Sequence, residues 1–97
     1  MKKLYVLQRK DLPISYQAVQ AGHAVAEFLL YGPETEWDNG TLIYLGVNDE
    51  KDLIKWSEKL SMKQINFVIF REPDIGNQIT SLAVVCDDKI FRNLKLL

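Results

Sequence analysis

The chain has few of the residues that form disulfides and metal sites, and it has no long apolar run of the kind that spans a membrane. It carries one cysteine, Cys86, and one histidine, His23, among 97 residues. A single cysteine excludes an internal disulfide, and neither residue can build a metal site alone. No apolar run approaches the roughly 20 residues that span a bilayer. The first apolar run is too short for a secretory signal and breaks at positions 8–11. We therefore expect a cytoplasmic protein with no membrane association, no metal and no cofactor, in which Cys86 is a small buried hydrophobe.

A strong charge of one sign is also lacking. The formal net charge is −1, so no global basic field attracts nucleic acid. A local excess of positive charge does exist in the N-terminal quarter, at Lys2, Lys3, Arg9 and Lys10. Such a patch is sufficient for a local nucleic-acid contact.

Common catalytic signatures are missing as well. The chain has no Gly-rich phosphate loop, no HExxH and no GxSxG. A nucleophilic triad is poorly supported, because there is one histidine and no serine in an elbow sequence. A single-metal hydrolase built on His23 would need two more ligands brought in from loops.

The residues that are present predict one α/β domain over positions 1–97. The composition, 47% hydrophobic and 26% charged, is that of an ordinary globular domain. Dimerisation would bury further surface, so a homodimer is possible. Apolar β-rich runs predict strands at 4–8, 41–47, 67–70 and 79–86, with a loop at 71–78. The direct link between the last two strands favours an antiparallel pair, whereas strand–helix–strand units favour parallel pairing.

Helix signals alternate with these strands. The sequence predicts Ser15 as the N-cap and Gly32-Pro33 as the stop of the first helix, and Asn48 or Asp49 as the cap of a second helix that ends near Ser61. A short third helix follows 87–88. The order is β-α-β-α-β-β-α, and a mixed four-stranded sheet with helices on both faces fits it best.

The first helix has two distinct faces. Helical spacing groups the small and apolar residues of the expected buried face, which are Ala18, Gly22, Val25 and Leu29. It groups the polar residues of the opposite face, which are Tyr16, Gln20, His23 and Glu27. That polar stripe is either a solvated surface or part of a site.

Strand-to-helix turns are where ligands tend to bind in α/β domains. The first such turn carries Arg9, Lys10 and Asp11, and Gln20 and His23 follow on the helix. Across the expected site, the 71–78 loop and the next strand offer further polar groups: Arg71, Glu72, Asp74, Asn77 and Thr80. Such a set can hold a phosphate or ribose and position a water against an ester carbonyl. A solvated loop held by local Asx turns explains the 71–78 segment equally well.

The run LYVLQRKDL followed by QAVQAGHA resembles the start of the type-two peptidyl-tRNA hydrolases. In that family a strand ends in an R-x-D-L turn and the helix carries a Q-x-x-H-A element. ITSLAVV resembles the family's fourth strand, and DDKIFRNLKLL resembles its closing helix. The positions that match are Arg9, Asp11, Leu12, Gln20, His23, Ala24, Thr80, Leu82 and Ala83. The likeness follows the order of elements over nearly the whole chain.

The resemblance implies metal-independent hydrolysis of the ester between a peptide and tRNA, a role in translation, and a frequent homodimer. It implies that Gln20, His23 and Thr80 bind the terminal adenosine and ester. One carboxylate, Glu72 or Asp74, would orient the attacking water. The expected substrate-binding residues are Arg9 and Lys10 at RNA phosphates, with Asp11, Tyr16 and Asn77 beside them.

This sequence departs from the family at two places. Tyr16, in the approach PISY, stands where the family has a lysine. The loop FREPDIGNQ replaces a D-A-G-x-T loop that bears a carboxylate implicated in catalysis. These departures keep open an alternative, a non-catalytic member of the same fold that acts as a protein- or ligand-binding module.

Overall fold

A mixed four-stranded sheet forms the centre of the fold in the computed structural model, which describes residues 2–97 apart from the side chain of Asp88. Its strands are β1 (Lys3–Arg9), β2 (Thr41–Val47), β3 (Phe67–Glu72) and β4 (Gln78–Cys86). The helices are α1 (Ile14–Tyr31) and α2 (Glu50–Met62), with short 3₁₀ turns at Pro73–Ile75 and Asp88–Phe91. The predicted order of elements is confirmed, with a 3₁₀ turn as the last helix.

The strands lie in the order β2-β1-β4-β3. β1 and β2 are parallel, whereas β4 is antiparallel to both β1 and β3. The mixed α/β sheet expected from the sequence is therefore confirmed. This topology brings the carboxyl ends of β1, β2 and β3 and the amino end of β4 to one end of the sheet.

Two hydrophobic clusters cover the two faces of the sheet, because side chains alternate along each strand. On one face α1 packs over a cluster of Leu4, Val6, Ala21, Ala24, Phe28 and Ala83. On the other face α2 packs over a larger cluster that includes Tyr5, Leu7, Leu45, Leu53, Leu60 and Leu82. Cys86 is half-buried at the margin of this second cluster. Helices thus cover both faces, as the sequence predicted.

The start of α1 differs from the prediction. The helix begins at Ile14, directly after Pro13, so Ser15 is not the N-cap. Pro13 is the N-cap, with φ −53° and ψ 145°, an extended conformation that proline favours, and it has no backbone N–H that needs a partner. The buried Gln17 amide donates to the carbonyls of Lys10 and Leu12 and holds the preceding turn against the helix. The predicted stop is confirmed, since Gly32 ends α1.

The predicted buried face of α1 is wrong. The buried residues are Gln17, Gln20, Ala21, Ala24 and Phe28. Ala18, Gly22 and Leu29 are exposed and Val25 is half-buried. The small Ala21 and Ala24 allow close packing on the sheet, and the two glutamines are buried because their amides find partners. The apolar face that the pattern assigned to the core therefore faces outward.

α2 and the C-terminal segment follow the sequence signals closely. Asp49 caps α2, its side chain accepting a hydrogen bond from the Asp52 backbone N–H. Leu53 and Leu60 are buried, with Trp56 half-buried beside them. After the second 3₁₀ turn, a bridge between Leu45 and Leu96 places the last residues against the edge of β2. Among the described residues, no helix is both long enough and apolar enough to traverse a bilayer.

The hairpin between β3 and β4 is tighter than the predicted 71–78 loop. β3 continues through Glu72 and β4 begins at Gln78, which leaves five linking residues. Gly76 and Asn77 adopt positive φ angles of 71° and 59° there, a conformation that glycine and asparagine tolerate best. Glu72 therefore belongs to a strand and has a fixed direction.

Candidate functional site

A β-bulge at the start of β4 aims two hydroxyl side chains at α1. Phe70 pairs with Ser81 and Arg71 pairs with Ile79, so Thr80 is the extra residue on β4. Bulges re-aim side chains in this way. Without the bulge, Thr80 would point to the α2 face, because neighbouring strand residues alternate. With it, Thr80 and Ser81 both face α1.

Gln20 is the centre of a buried polar network at this place. Its side-chain amide donates to Glu72 Oε1 at 2.7 Å and accepts from Thr80 Oγ1 at 2.6 Å. The Ser81 hydroxyl donates to the Gln20 backbone carbonyl at 2.8 Å. Gln20, Thr80 and Ser81 are all fully buried, and Glu72 is 8% exposed. Gln20, Glu72 and Thr80, which the sequence analysis placed together, thus join the helix, the hairpin and β4, and Ser81 adds a further contact.

The surroundings of Glu72 favour its ionised form. Its pKa is lowered chiefly by the hydrogen bond from Gln20, while desolvation acts in the opposite direction. The Asp74 backbone N–H, which lies 3.4 Å from Glu72 Oε2, and the Tyr16 hydroxyl add to the lowering. Desolvation and the nearby Glu72 charge in turn raise the pKa of Tyr16. Glu72 is therefore a carboxylate at neutral pH beside a neutral phenol.

His23 lies at the rim of the network. Its ring stacks on Phe70 with centroids 4.4 Å apart and an interplanar angle of 8°. His23 itself is exposed, whereas Phe70 is half-buried. The pair presents a flat aromatic surface on the α1 side of the sheet.

Arg9 stabilises the backbone at the same end of the sheet. Its guanidinium forms two hydrogen bonds with the Asp11 carboxylate, both 2.9 Å, and donates to Gln78 Oε1 and the Ile79 carbonyl. This pairing raises the pKa of Arg9 and lowers that of Asp11. Arg9 is only 6% exposed. The ion pair therefore fixes the β1–α1 turn against the bulged start of β4.

The remaining predicted site residues lie outside the network. Lys10 is exposed and its aliphatic stem lies over Gly46, where an added Cβ would come within 2.7 Å of Lys10 Cδ. Asp74 is exposed, and only its backbone N–H reaches Glu72. Asn77 closes the hairpin, its N–H donating to the Glu72 carbonyl. Of the two acids left open by the sequence, Glu72 is the one that faces Gln20.

Sequence reasoning missed three participants: Gln17, Ser81 and Gln8. Gln8 is fully buried at the end of β1 and pairs with Ser81, and its side-chain oxygen has no partner among the described residues. A glutamine at the end of an apolar strand was the available signal for it. Nothing in the local pattern marked Gln17 or Ser81.

The chemistry available here is that of a fixed carboxylate with amide and hydroxyl neighbours. Within residues 2–97, leaving Asp88 aside, no three side chains of the histidine, cysteine, aspartate and glutamate types are grouped to hold a metal ion. A carboxylate whose pKa is lowered is a weak base, but it is a good acceptor for orienting a water or hydroxyl. Gln20 and Thr80 hold it in one position.

Comparisons with known proteins establish the fold and no more. No family model and no curated protein matches the chain. A solved protein of unknown function from Agrobacterium tumefaciens strain C58, Atu0240, is similar in structure, with a TM-score of 0.62. The likeness covers 99% of this chain and 97% of that one, at 17% sequence identity. At this identity the likeness is one of fold alone.

Proposed function

We propose that this protein is a metal-independent esterase acting on peptidyl-tRNA or N-acyl-aminoacyl-tRNA in the cytoplasm. The observation that carries the proposal is the pair of buried hydrogen bonds that join Gln20, a residue of the polar stripe on α1, to Glu72 and Thr80. The motif resemblance to the type-two peptidyl-tRNA hydrolases supports the same class of reaction.

In the proposed reaction, Glu72 orients the attacking water by accepting a hydrogen bond from it. The water oxygen adds to the ester carbonyl, the bond to the ribose 3′ oxygen breaks, and the water protons pass to the released 3′ hydroxyl and carboxylic acid. Because its pKa is lowered, Glu72 acts mainly through position and charge. The His23–Phe70 surface offers a stacking platform for the terminal adenine.

Tyr16 limits the rate of the proposed reaction. Where the family has a lysine, Tyr16 supplies a neutral hydroxyl whose pKa is raised by desolvation and Glu72. A neutral donor stabilises a developing oxyanion less than a cation does, and loss of such a group costs about 100-fold or more in rate. We therefore expect slow turnover.

The tRNA backbone is expected to contact Lys10, which is exposed at the β1–α1 turn. In this proposal Arg9 and Asp11 shape that turn, because four of the five Arg9 donors already have partners. Asn77 sets the course of the hairpin beside Glu72.

The direct test is the release of labelled amino acid from N-acetyl-aminoacyl-tRNA by purified protein in excess EDTA. Glu72→Gln keeps the shape of the side chain and removes its charge, so we expect release to fall at least about tenfold. Asp74→Asn is the matched control, since Asp74 is an exposed acid two residues away. The absence of release above buffer at high protein concentration would rule out the catalytic proposal.

A non-catalytic binding module is the second candidate, and one observation favours it. Both carboxylate oxygens of Glu72 already have donors, Gln20 and the Asp74 backbone. A module would bind its partner with the same affinity before and after Glu72→Gln. Binding of deacylated tRNA by the wild type without any ester release would favour this candidate.

A homodimer is a separate prediction, which does not depend on whether the protein is an esterase or a binding module. Val19, Leu29 and Leu30 are 54%, 63% and 71% exposed along the outer side of α1, and association of two copies would remove them from water. Sedimentation velocity over a range of concentrations tests it. A single monomeric species at every concentration would contradict it.

A further inference from the structure

A concave site lies on the α2 face, at the end of the sheet opposite to Gln20 and Glu72. It is a groove of about 630 Å³, within the roughly 300–1,000 Å³ of ordinary ligand pockets. It is formed where the last turns of α2 meet the second 3₁₀ turn. Its lining residues, here called the lysine groove, are Trp56, Lys59, Met62, Lys63, Lys89 and Ile90.

Among the residues whose side chains the structure describes, the lysine groove is lined by three cations and no acid. Lys59, Lys63 and Lys89 are all exposed. Among the described side chains, no carboxylate forms an ion pair with any of them. The nearby Asp87 accepts the Lys89 backbone N–H and so caps the 3₁₀ turn. In a chain of net charge −1, this is a local concentration of positive charge.

The other half of the groove is apolar. Met62 lines the groove and is 86% exposed, so its side chain is accessible to a ligand there. Trp56 is fixed from behind by an edge contact with Phe91, at 5.0 Å between ring centroids. Lys59 Nζ lies 4.8 Å from the Trp56 ring centroid, so a cation borders the indole. Methionine adapts its shape easily, so Met62 and Trp56 form a deformable apolar wall.

Helix electrostatics explain only part of this arrangement. Lysines near the carboxyl end of α2 interact favourably with the helix dipole, which accounts for Lys59 and Lys63. It does not account for Lys89, which comes from the 3₁₀ turn. The convergence of three cations from two elements on one apolar wall indicates a ligand.

We propose that the lysine groove binds an organic polyanion with a flat ring, the chemistry of a nucleoside polyphosphate. The ring lies against Trp56 and Met62, and the phosphates meet Lys59, Lys63 and Lys89. The site is independent of the esterase proposal, because it shares no residue with the Gln20 network and lies on the other face of the sheet.

The test uses the full chain and follows the two tryptophan indole N–H signals by ¹⁵N NMR during titration with magnesium-free ATP. Trp37 lies on the α1 face and serves as an internal control. Trp37→Phe assigns the two signals. We expect the Trp56 signal to shift and saturate while the Trp37 signal stays in place. Adenosine alone and inorganic tripolyphosphate alone should each bind at least about tenfold more weakly than ATP, because each supplies one half of the ligand.

Matched lysine variants separate this site from non-specific charge attraction. Each exposed ion pair contributes about a 1.4- to fivefold effect on affinity, so K59Q/K63Q should weaken ATP binding by about 2- to 25-fold. K51Q/K55Q removes the same charge from exposed positions of α2 that do not line the groove, and should change affinity less than about twofold.

Three results would overturn the proposal. One is an unchanged Trp56 signal at saturating ATP. Another is tripolyphosphate binding as tightly as ATP, which would leave the apolar wall without a role. The third is equal weakening by the two double variants, which would mean that overall charge alone attracts the probe.

Discussion

The hydrogen bond between Gln20 and Thr80 makes the sharpest prediction about the network. Gln20→Leu nearly conserves volume and leaves the buried Thr80 hydroxyl without its acceptor. Thr80→Val does the reverse and leaves the Gln20 side-chain oxygen without its donor. The double variant removes both polar atoms together. These four proteins form a double-mutant cycle that isolates the pair.

The expected magnitudes follow from burial. A polar group that is left buried and unpaired costs about 1–3 kcal/mol, and both atoms here belong to fully buried side chains. Thr80→Val should therefore lower the free energy of unfolding by about 1–3 kcal/mol, and Gln20→Leu should lower it by more, because it also leaves Glu72 Oε1 without its Gln20 donor. The double variant should lose about 0.5–1.5 kcal/mol less than the sum of the single losses. The lost donor to Glu72 is common to both Gln20→Leu proteins, so it cancels in the cycle.

Urea unfolding followed by circular dichroism measures these free energies, because a domain of this size is expected to unfold in two states. Thr80→Ser keeps the hydroxyl and should retain most of the coupling with Gln20. Losses that add within about 0.3 kcal/mol would show that the two side chains do not interact, and the central contact of the site would then be wrong.

Three further predictions concern the neighbours of that network. The pKa of Glu72 is lowered in the folded protein, so its contribution to stability is fully present above the unfolded-state pKa of about 4.3. That contribution is lost as the pH falls through the lower pKa of the folded state. Glu72→Gln should therefore unfold with a shallower dependence on pH between about pH 5 and 2, and an unchanged slope would refute the assignment. Arg9→Lys should lower the free energy of unfolding by about 1.5–3 kcal/mol in urea, because lysine cannot make the forked contact, whereas Arg71→Lys, at an exposed position, should change it by less than about 0.5 kcal/mol. The stacked ring of Phe70 should displace the His23 ring-proton NMR signals, and Phe70→Leu should return them to ordinary positions; signals that do not move would exclude the stack.

Much of the fold could be predicted because its signals are local. TLIYLGV forms β2 over the predicted residues, Asp49 caps α2, and Gly32 ends α1. Each of these depends on a few adjacent residues and on backbone preferences that hold in any context. The alternation of strands and helices then restricted the topology to a few possibilities.

The face of α1 could not be predicted, because burial of a glutamine depends on distant partners. Gln20 is buried through Glu72 and Thr80, which lie 52 and 60 positions away in sequence. A hydrophobicity pattern counts Gln20 as a solvent-facing residue and counts Leu29 as a core residue, and both assignments are reversed. Buried polar residues of this kind are expected at functional sites, so the wrong assignment of Gln20 itself points to such a site.

The candidate site was identified by residue type, and its geometry depended on a feature without a sequence signal. Gln20, Glu72 and Thr80 were all named from the sequence. The bulge that turns Thr80 toward α1 has no glycine or proline to mark it. Arg9 is the opposite case. Its position in the sequence suggested a contact with a phosphate, but its hydrogen-bond donors are used within the protein.

Because Thr80 is the extra residue of a bulge in β4, the site can change during evolution while the packing of the core stays the same. Removing Thr80 from the chain would leave Ile79 and Ser81 on the faces they already occupy, because alternation holds on either side of it. A one-residue deletion there could therefore discard the hydroxyl and keep the packing. Homologous chains with and without this residue would share one scaffold and differ in the chemistry it supports.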